Sequence, residues 1–576
     1  MTNRKIADTL EQLADLLEFT GTNPFRLRAY RNAARVIADM TDSVAALVES
    51  GEDLTRLDGI GKSVAEKCKV LVGTGKLPQL EKLLDSVPRT VLDMLRIPGL
   101  GPKKAAALFN DLQVTTLDQL RAACEAGQVR ELPGFAEKTE QTILAGIDLA
   151  ATSGNRKYWA DVDEIAGRLR SHLADCDAVQ QLEFAGSYRR GKETVGDLDI
   201  LVTSSDPQEV MRRLEEFPQV DSQIVRGDTK MSVRLEDGFQ VDLRVVPAES
   251  FGAALQYFTG SRDHNVILRG LARERNLKIN EWGVFQVDRD EETWIAGKTE
   301  ADVYATLDLP LFPPEIREAR REYALAEQGP LPPLVTLDDI RGDLHMHTTA
   351  TDGKATIEEM AQAAKELGLS YIAITDHSKR VAMAGGLDDQ ALLDQWAEID
   401  RINPQFTGIT ILKGIEVDIL EDGELDISDE VLAEADWVTA SLHYGGNQSQ
   451  ARITARIVGA IRHPSVSAIS HPTGRLLNRR EPYAVDMNEV VAAAAACGKL
   501  LELNAHPSRL DLNDVHCAMA RAAGVPVVIN TDAHSVRGLA NMRYGIKQAR
   551  RGGLTKSDVA NTRSWKQLKA LIGRGA

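Results

Sequence analysis

Residues 195–202 read VGDLDILV, an apolar run interrupted by two aspartates two residues apart. On a β-strand alternate side chains share a face. Leu198, Ile200 and Val202 therefore point one way, and Asp197 and Asp199 the other. A strand with one dry face and two anions on the other needs cations. A single Asp-x-Asp is more often a pair of surface-loop residues, but the upstream stretch GSYRRGKETVGDLDILV (186–202) shifts the reading. Its glycine-serine turn with Arg189 and Arg190 suits a triphosphate tail. In FQVDLRVV (239–246), Gln240, Asp242 and Arg244 share one face, opposite Val241, Leu243 and Val245. A neighbouring strand of this kind brings Asp242 beside Asp197 and Asp199. Carboxylates gathered so bind hard divalent ions, with phosphate oxygens completing the shell. Two such ions serve an in-line phosphoryl displacement.

The chain of 576 residues has room for about four domains of ordinary size. Apolar content of 43% and charged content of 27% are those of a soluble globular protein. No run approaches the roughly 20 apolar residues of a membrane span. The opening MTNRKIADTLEQLADLLEF reads as an amphipathic helix with acidic residues, so it is not a signal peptide. Cysteines 68, 124, 176, 497 and 517 form no CxxC pair, which points to reduced thiols and a cytoplasmic protein. Net charge is −17, and residues 1–150 carry 19 Lys/Arg against 21 Asp/Glu. A nucleic-acid partner must therefore be held by local patches and backbone amides.

Three short copies recur early: LDGIGKS (57–63), IPGLGPK (97–103) and LPGFAEK (132–138). Gly59, Gly99 and Gly134 should form tight turns between helices. The helix starts that follow expose N–H groups able to hold a phosphate, with Gly61, Lys62, Gly101 and Lys103 in the same copies. The third copy lacks the second glycine. Residues 151–315 alternate strand-like stretches with helices. Prolines 310, 313, 314, 330, 332 and 333 then bracket the charged EIREARREYALAEQ, which reads as an exposed tether. From 338 onward apolar strands alternate with helices: DLHMH, YIAITDH, ILKGIEVDI, WVTASLHY, VSAISHP, LLELNAH and VPVVINTDAH. Seven such units predict a parallel closed (β/α) barrel, with chemistry at the C-terminal strand ends.

Nine of the 11 histidines lie between 345 and 534. A lone buried histidine is usually just hydrogen-bonded, but here His345, His347, Asp352, His377, Glu416, His443, His471, Asp532 and His534 fall at successive strand ends. Mixed nitrogen and oxygen ligands suit zinc, manganese or iron, and nine are enough for three ions.

GSYRRGKETVGDLDILV, VDLRVV and FGAALQYFTGSRDHNVILRGLARERNLKINEWGVF (251–285) resemble the palm and thumb of family X DNA polymerases, and the helix-hairpin-helix copies match that family's N-terminal region. The resemblance covers about residues 1–315. It implies that Asp197 and Asp199 hold two Mg²⁺ or Mn²⁺ ions, and that Asp242 binds the catalytic one and helps deprotonate the primer hydroxyl. It further implies that Ser187, Arg190 and Gly196 take the triphosphate, and that Tyr257, Phe258, Thr259 and Gly260 lie against the nucleotide sugar. Asn265 and Arg269 would contact the incoming nucleotide and the DNA minor groove. Lys67 matches a lyase nucleophile of some members, with Tyr30 and Arg26 nearby. Phe25 and Gln79 depart from that pocket, and Lys67 as a DNA-phosphate contact is the preferred reading.

The barrel ligands resemble the PHP (polymerase and histidinol phosphatase) domain over 338–576, which implies a phosphodiester hydrolase using up to three Zn²⁺ or Mn²⁺ ions. Asp343 is expected to support the metal-bound histidines. Arg475, Arg479, Arg480, His506 and Arg509 are expected to hold DNA phosphates, while His463 and His516 are read as structural. The expected fold is multidomain, α/β and α+β. It comprises a lyase-like helical domain (1–85), a helix-hairpin-helix domain (86–150), a nucleotidyltransferase palm (151–250), a thumb (251–315), a linker (316–337) and a distorted (β/α)7 PHP barrel (338–576). The expected activity is gap-filling synthesis on gapped or primer-template DNA with dNTPs, by a monomer without membrane contact. A 3′→5′ exonuclease accompanies it, with cleavage at abasic sites or blocked 3′ ends as a further implication. A nucleotidyltransferase joined to a small-molecule phosphatase, or a non-enzymatic DNA-end scaffold, are the alternatives. The hairpin repeats and the YFTGS stretch count against the first, and the complete carboxylate and ligand sets against the second.

Overall fold

Along Asn3–Phe19 the residues Ile6, Leu10, Leu13 and Leu17 recur every three or four positions and are all buried, so helix packing builds the start of the chain. The computed structural model describes residues 1–573 except 2, 22–23, 40–43, 58, 88–89, 96, 98–99, 138, 142, 145, 148–155 and 290. They form two units, 1–154 with 478–480, and 155–477 with 481–576. Among the described residues no helix is long and apolar enough to cross a membrane.

In the first unit Gly59 has φ +84°, and a Cβ there would lie 2.9 Å from Val36 Cγ2, so glycine is required. Gly61 and Gly101 cap helices α1 (Lys62–Thr74) and α2 (Pro102–Leu112) with extended backbone and no side-chain cap. The N–H groups of Lys62, Ser63 and Lys103 at these helix starts are thus turned to an acceptor outside the helix. Gly99 lies outside the described residues.

The second unit begins with a five-stranded sheet of β1 (Val179–Phe184), β2 (Asp197–Ser204), β3 (Val220–Arg226), β4 (Lys230–Leu235) and β5 (Gln240–Val245), in the order β1-β2-β5-β4-β3. A helical turn α3 (Gly186–Arg189) precedes β2. β2 and β5 run parallel with Asp199 opposite Asp242, while Leu198, Ile200, Val202, Val241 and Leu243 enter the core. The thumb follows, with α4 (Phe251–Thr259), α5 (Arg262–Glu274) and the antiparallel strands β6 (Leu277–Asn280), β7 (Gly283–Asp288) and β8 (Glu291–Ala296).

The expected exposed tether is a correction. Arg317 and Glu322 are buried, and the segment packs on the thumb. Arg317 donates to Glu300 Oε1 (2.6 Å) and twice to the Phe312 carbonyl. Glu322 accepts from the Ala319 and Arg320 amides and pairs with buried His264 at 2.9 Å. Proline and charge look like a tether in sequence, but each of these charges has a partner far along the chain.

The barrel strands are β9 (Gly342–Asp343), β10 (Tyr371–Ile374), β11 (Thr410–Asp418), β12 (Trp437–Ser441), β13 (Ala468–Ile469), β14 (Leu500–Asn504) and β15 (Val527–Asn530). All pair in parallel, in chain order. Tyr371, Ala373, Leu412, Trp437, Leu500 and Val528 pack on Ala560, Leu568 and Ile572, so the chain's last helix fills one side of the strands. Between β9 and β15 the ladder narrows to a bridge at Met346 and Ala533, the His347 amide bonding the Ala533 carbonyl at 2.8 Å, and the Leu344 amide bonding Asn530 Oδ1.

Because truncating one partner strands a buried charge, Arg317→Ala should cost about 3–5 kcal/mol in urea unfolding. It should also speed trypsin cleavage at Arg320 and Arg321 relative to wild type in a timed digest.

Candidate active sites

Parallel pairing sets Asp199 directly beside Asp242, and Asp197 lies two residues back on the same face of β2. Asp242 is fixed from both sides: Ser232 Oγ donates to Oδ1, and Gln240 Nε2 donates to Oδ2 at 2.8 Å. A Cβ on Gly186 would fall 2.3 Å from Asp199 Oδ2, so the glycine-serine turn sits against the carboxylate. Burial, then the charges of Asp197 and Asp242, push the Asp199 carboxyl up to about 7. Asp197 is raised too, by burial and by Asp242. Carboxylates packed this closely are an all-oxygen donor set of the kind that suits hard divalent cations.

Bonds link several of the nucleotide-binding candidates from the turn beside Asp199 into the thumb. Ser187 lies within the α3 turn beside Asp199, and Arg190 caps that turn. Arg190 donates through Nη1 to the Thr259 carbonyl and through Nε to Glu318 Oε1 (3.1 Å). Gly196 precedes β2 and faces Arg156. Tyr257 and Phe258 form an edge-to-face pair 5.1 Å apart, and the Arg244 guanidinium lies 4.5 Å over the Phe258 ring. Gly260 has φ +66° and ends α4. Asn265 accepts from Gln256 and donates to the Tyr257 carbonyl at 2.8 Å, and Arg269 bonds back to the Asn265 carbonyl. In the first unit Lys67 Nζ stands 5.4 Å over the Tyr30 ring.

All nine barrel ligands converge at the C-terminal strand ends. Their donor atoms form three groups, each within 4.8 Å: His347 with Asp352, His377 and His534; His345 with His347 and Asp532; and His377 with Glu416 and His443. His471 Nε2 completes the cluster 3.1 Å from Glu416. His345 Nε2, His347 Nδ1, Asp352 Oδ1, His377 Nδ1 and Glu416 Oε2 are buried without a hydrogen-bond partner. His377 Nδ1 and Glu416 Oε2 approach to 2.7 Å without hydrogen-bond alignment, as lone pairs aimed at a common point do. Such atoms are costly unless a cation takes them. Burial and the neighbouring imidazoles of His534 and His377 push His347 down to about 4, leaving it neutral and ready to ligate. Burial opposes charge on His345 and His534 as well, but Glu502, Asp532 and Glu416 hold His345 well above its usual value, and Asp352 and Asp532 push His534 up to about 9. Ion binding must therefore release protons.

Two expectations here are corrected. Asp343 does not reach an imidazole: it accepts from Thr531 N and Oγ1 and, at 3.4 Å, from the His345 amide, tying β9 to the loop after β15. The carboxylate behind His345 is Glu502, 2.7 Å from Nδ1, wholly buried and also bonded by Asn530. Its signal was available, since Glu502 sits among leucines in LLELN as Asp199 does in VGDLDILV. Arg475 is buried and spends its guanidinium on Glu193 and the Leu510 carbonyl rather than facing a phosphate. Arg509 does stand at the site, its Nε 3.5 Å from Asp532. Asp376, also unforeseen, accepts from Thr348, Thr351 and Gln395 and so holds the loop that carries Asp352.

Comparison with known families places a helix-hairpin-helix domain at 1–77, a helix-hairpin-helix tandem at 91–148, the DNA polymerase beta palm at 159–237, the DNA polymerase beta thumb at 254–318 and the PHP domain at 343–506. The chain is 40% identical over its full length, and the relative's, to a Bacillus subtilis protein named DNA polymerase/3′-5′ exonuclease PolX. It is 30% identical over 231 residues to a probable phosphatase of Thermoanaerobacter sp., covering 38% of this chain and 89% of that one. A probable phosphatase of Acetivibrio thermocellus is 32% identical over 201 residues, 33% of this chain and 78% of that one.

Two outcomes follow from these geometries. With its pKa raised to about 7, Asp199 destabilises the metal-free fold as pH climbs from its usual value of 3.8, fully so above 7. In metal-free buffer Asp199→Asn should therefore raise the melting temperature at pH 8, and the gain should vanish near pH 4. Glu502→Gln should weaken Mn²⁺ or Zn²⁺ binding by about 10–100-fold in calorimetric titration while the chain stays folded.

Proposed function

Since the chain belongs to the family X DNA polymerases that carry a C-terminal PHP domain, we propose that it fills short gaps in DNA during repair and trims 3′ ends with its barrel. The observation that carries this reading is the carboxylate triad, set by parallel register against the glycine turn of GSYRRG in a chain that also holds a complete ligand set at a barrel mouth.

Asp197, Asp199 and Asp242 would hold Mg²⁺ or Mn²⁺, and the nine barrel ligands up to three Zn²⁺ or Mn²⁺ ions. When bound, such ions supply Lewis acidity to the attacking oxygen and the leaving group of phosphoryl transfer. The rest is the work of this chain's own side chains. Ser187, Arg190 and Gly196 receive the triphosphate of an incoming dNTP. Asp242, its orientation fixed by Ser232 and Gln240, helps draw the proton from the primer hydroxyl. Tyr257, Phe258, Thr259 and Gly260 form the wall against the sugar, with Phe258 steadied by Arg244. Asn265, locked by Gln256 and the Tyr257 carbonyl, presents α5 to the nucleotide, and Arg269 reaches the minor groove. The glycine turns with Lys62 and Lys103 grip backbone phosphates by amide N–H groups, which reconciles DNA binding with an acidic chain. Lys67 serves as a further phosphate contact.

At the barrel, Arg509 beside Asp532 receives the phosphate of the strand being cut. The probable-phosphatase relatives favour an added role in clearing phosphate-blocked 3′ ends. The enzyme acts as a cytoplasmic monomer on gapped or primer-template DNA.

A labelled primer on DNA with a one-nucleotide gap tests both sites. Asp242→Ala should abolish extension but still shorten the primer, and His345→Ala should extend it without shortening. Extension by Asp242→Ala would refute the polymerase site as drawn, and shortening by His345→Ala would refute the barrel as the nuclease.

A further inference from the structure

The turn assigned to the triphosphate does not stand on the palm alone. Helix α6 (Met542–Arg551) of the barrel lies directly against it. Gly191, which closes the turn with φ +67°, approaches Lys547 so closely that a Cβ would lie 2.6 Å from its Cγ. Arg551, only 2% exposed, donates through Nη1 to the main-chain carbonyl of Arg190 (3.0 Å) and to Glu318 Oε1 (2.9 Å). Its Nη2 is anchored on Asp514 at 2.5 Å. The same Glu318 oxygen receives Nε of Arg190, whose Nη1 is taken by the Thr259 carbonyl. Arg190 is thus held at Nε, at Nη1 and at its own backbone carbonyl, and none of these bonds uses its Nη2.

We propose that Arg551 of the barrel is a positioning residue of the polymerase site, acting through Glu318 and the Arg190 backbone to hold Arg190 for the incoming triphosphate. The proposal rests on the polymerase reading above and on the assignment of Arg190 to the triphosphate. A long cationic side chain left free must give up its rotamers when it binds, and that loss weakens binding. Here the loss is met during folding, by an anchor that bridges two domains. Only a guanidinium serves the purpose: Arg551 satisfies a carbonyl and two carboxylates at once, whereas an ammonium is a point charge without that fork. Glu318 in turn accepts Arg190, Lys192 (3.6 Å) and Arg551, so its charge is shared and does not cancel Arg190. Glu193, bonded by both Arg475 and Gln548 of the barrel, holds the far end of the same turn. The barrel therefore contributes to nucleotide affinity, apart from its own hydrolysis.

The test uses the full-length chain on one-nucleotide-gap DNA, comparing wild type with Arg551→Lys, Arg551→Met, Glu318→Gln and the double variant Glu318→Gln/Arg551→Lys. Losing one charged anchor should raise the KM for dNTP by about tenfold in each single variant. kcat and the rate of primer shortening without dNTP should stay within about twofold. Inhibition by inorganic triphosphate should weaken by the same factor as KM rises. The double variant should be no worse than the weaker single one, because both act through one linkage. Arg551→Lys and Glu318→Gln keep the volume and polarity of the buried site, and a thermal melt matching wild type separates their effect from unfolding. An unchanged KM in both overturns the proposal, as does a matched fall in kcat and primer shortening at constant KM. If wild type itself fails to extend the primer, it is the polymerase reading that fails, and this inference falls with it.

Discussion

Polar and charged groups resist being packed together away from water, and both metal-binding candidates of this chain depend on a backbone that forces them together. In the palm, parallel pairing of β2 and β5 sets Asp199 opposite Asp242, and Gly186 lets the turn close over the pair. In the barrel, seven parallel strands end at one rim, so residues far apart in sequence deliver imidazoles and carboxylates to one place. Both sites use the same device. Parallel pairing sets chosen residues of neighbouring strands side by side, at the N-terminal ends of β2 and β5 in the palm and at the C-terminal strand ends in the barrel, and the interior apolar faces supply the stability that the crowded edge consumes.

The chemistry was legible in the sequence wherever a polar group sat in an apolar strand. Asp197 and Asp199 in VGDLDILV, and the histidines after six of the seven barrel strands, stand out because a buried strand tolerates such residues only for cause. The strand period and the alternation with helices gave the barrel and the palm sheet in the same way. Glu502 obeyed that rule and was passed over, because it lies mid-strand and not at the end where ligands were sought.

What was not legible depends on partners chosen at long range. The segment after Pro314 has the composition of a tether, yet Arg317 is buried on Glu300 and Glu322 on His264. Arg475 has the setting of a phosphate ligand, yet Glu193 claims it across nearly half the chain. A charge on its own says nothing about whether it faces water or a distant counter-charge. Only the three-dimensional fold assigns it.

The narrow join between β9 and β15 has a consequence for the order in which the two sites assemble. His345 and His347 follow the first barrel strand, whereas Asp532 and His534 follow the last, and the two ends meet at the Met346–Ala533 bridge. As the chain leaves the ribosome, the palm with its triad is complete some 300 residues before the final ligands emerge (Asp242 against Asp532 and His534). The palm's carboxylates can come together while the barrel rim is still unassembled, and the Arg190 turn gains its Arg551 anchor only when α6 arrives. The donor groups at the barrel rim therefore stay incomplete until the last strand closes it.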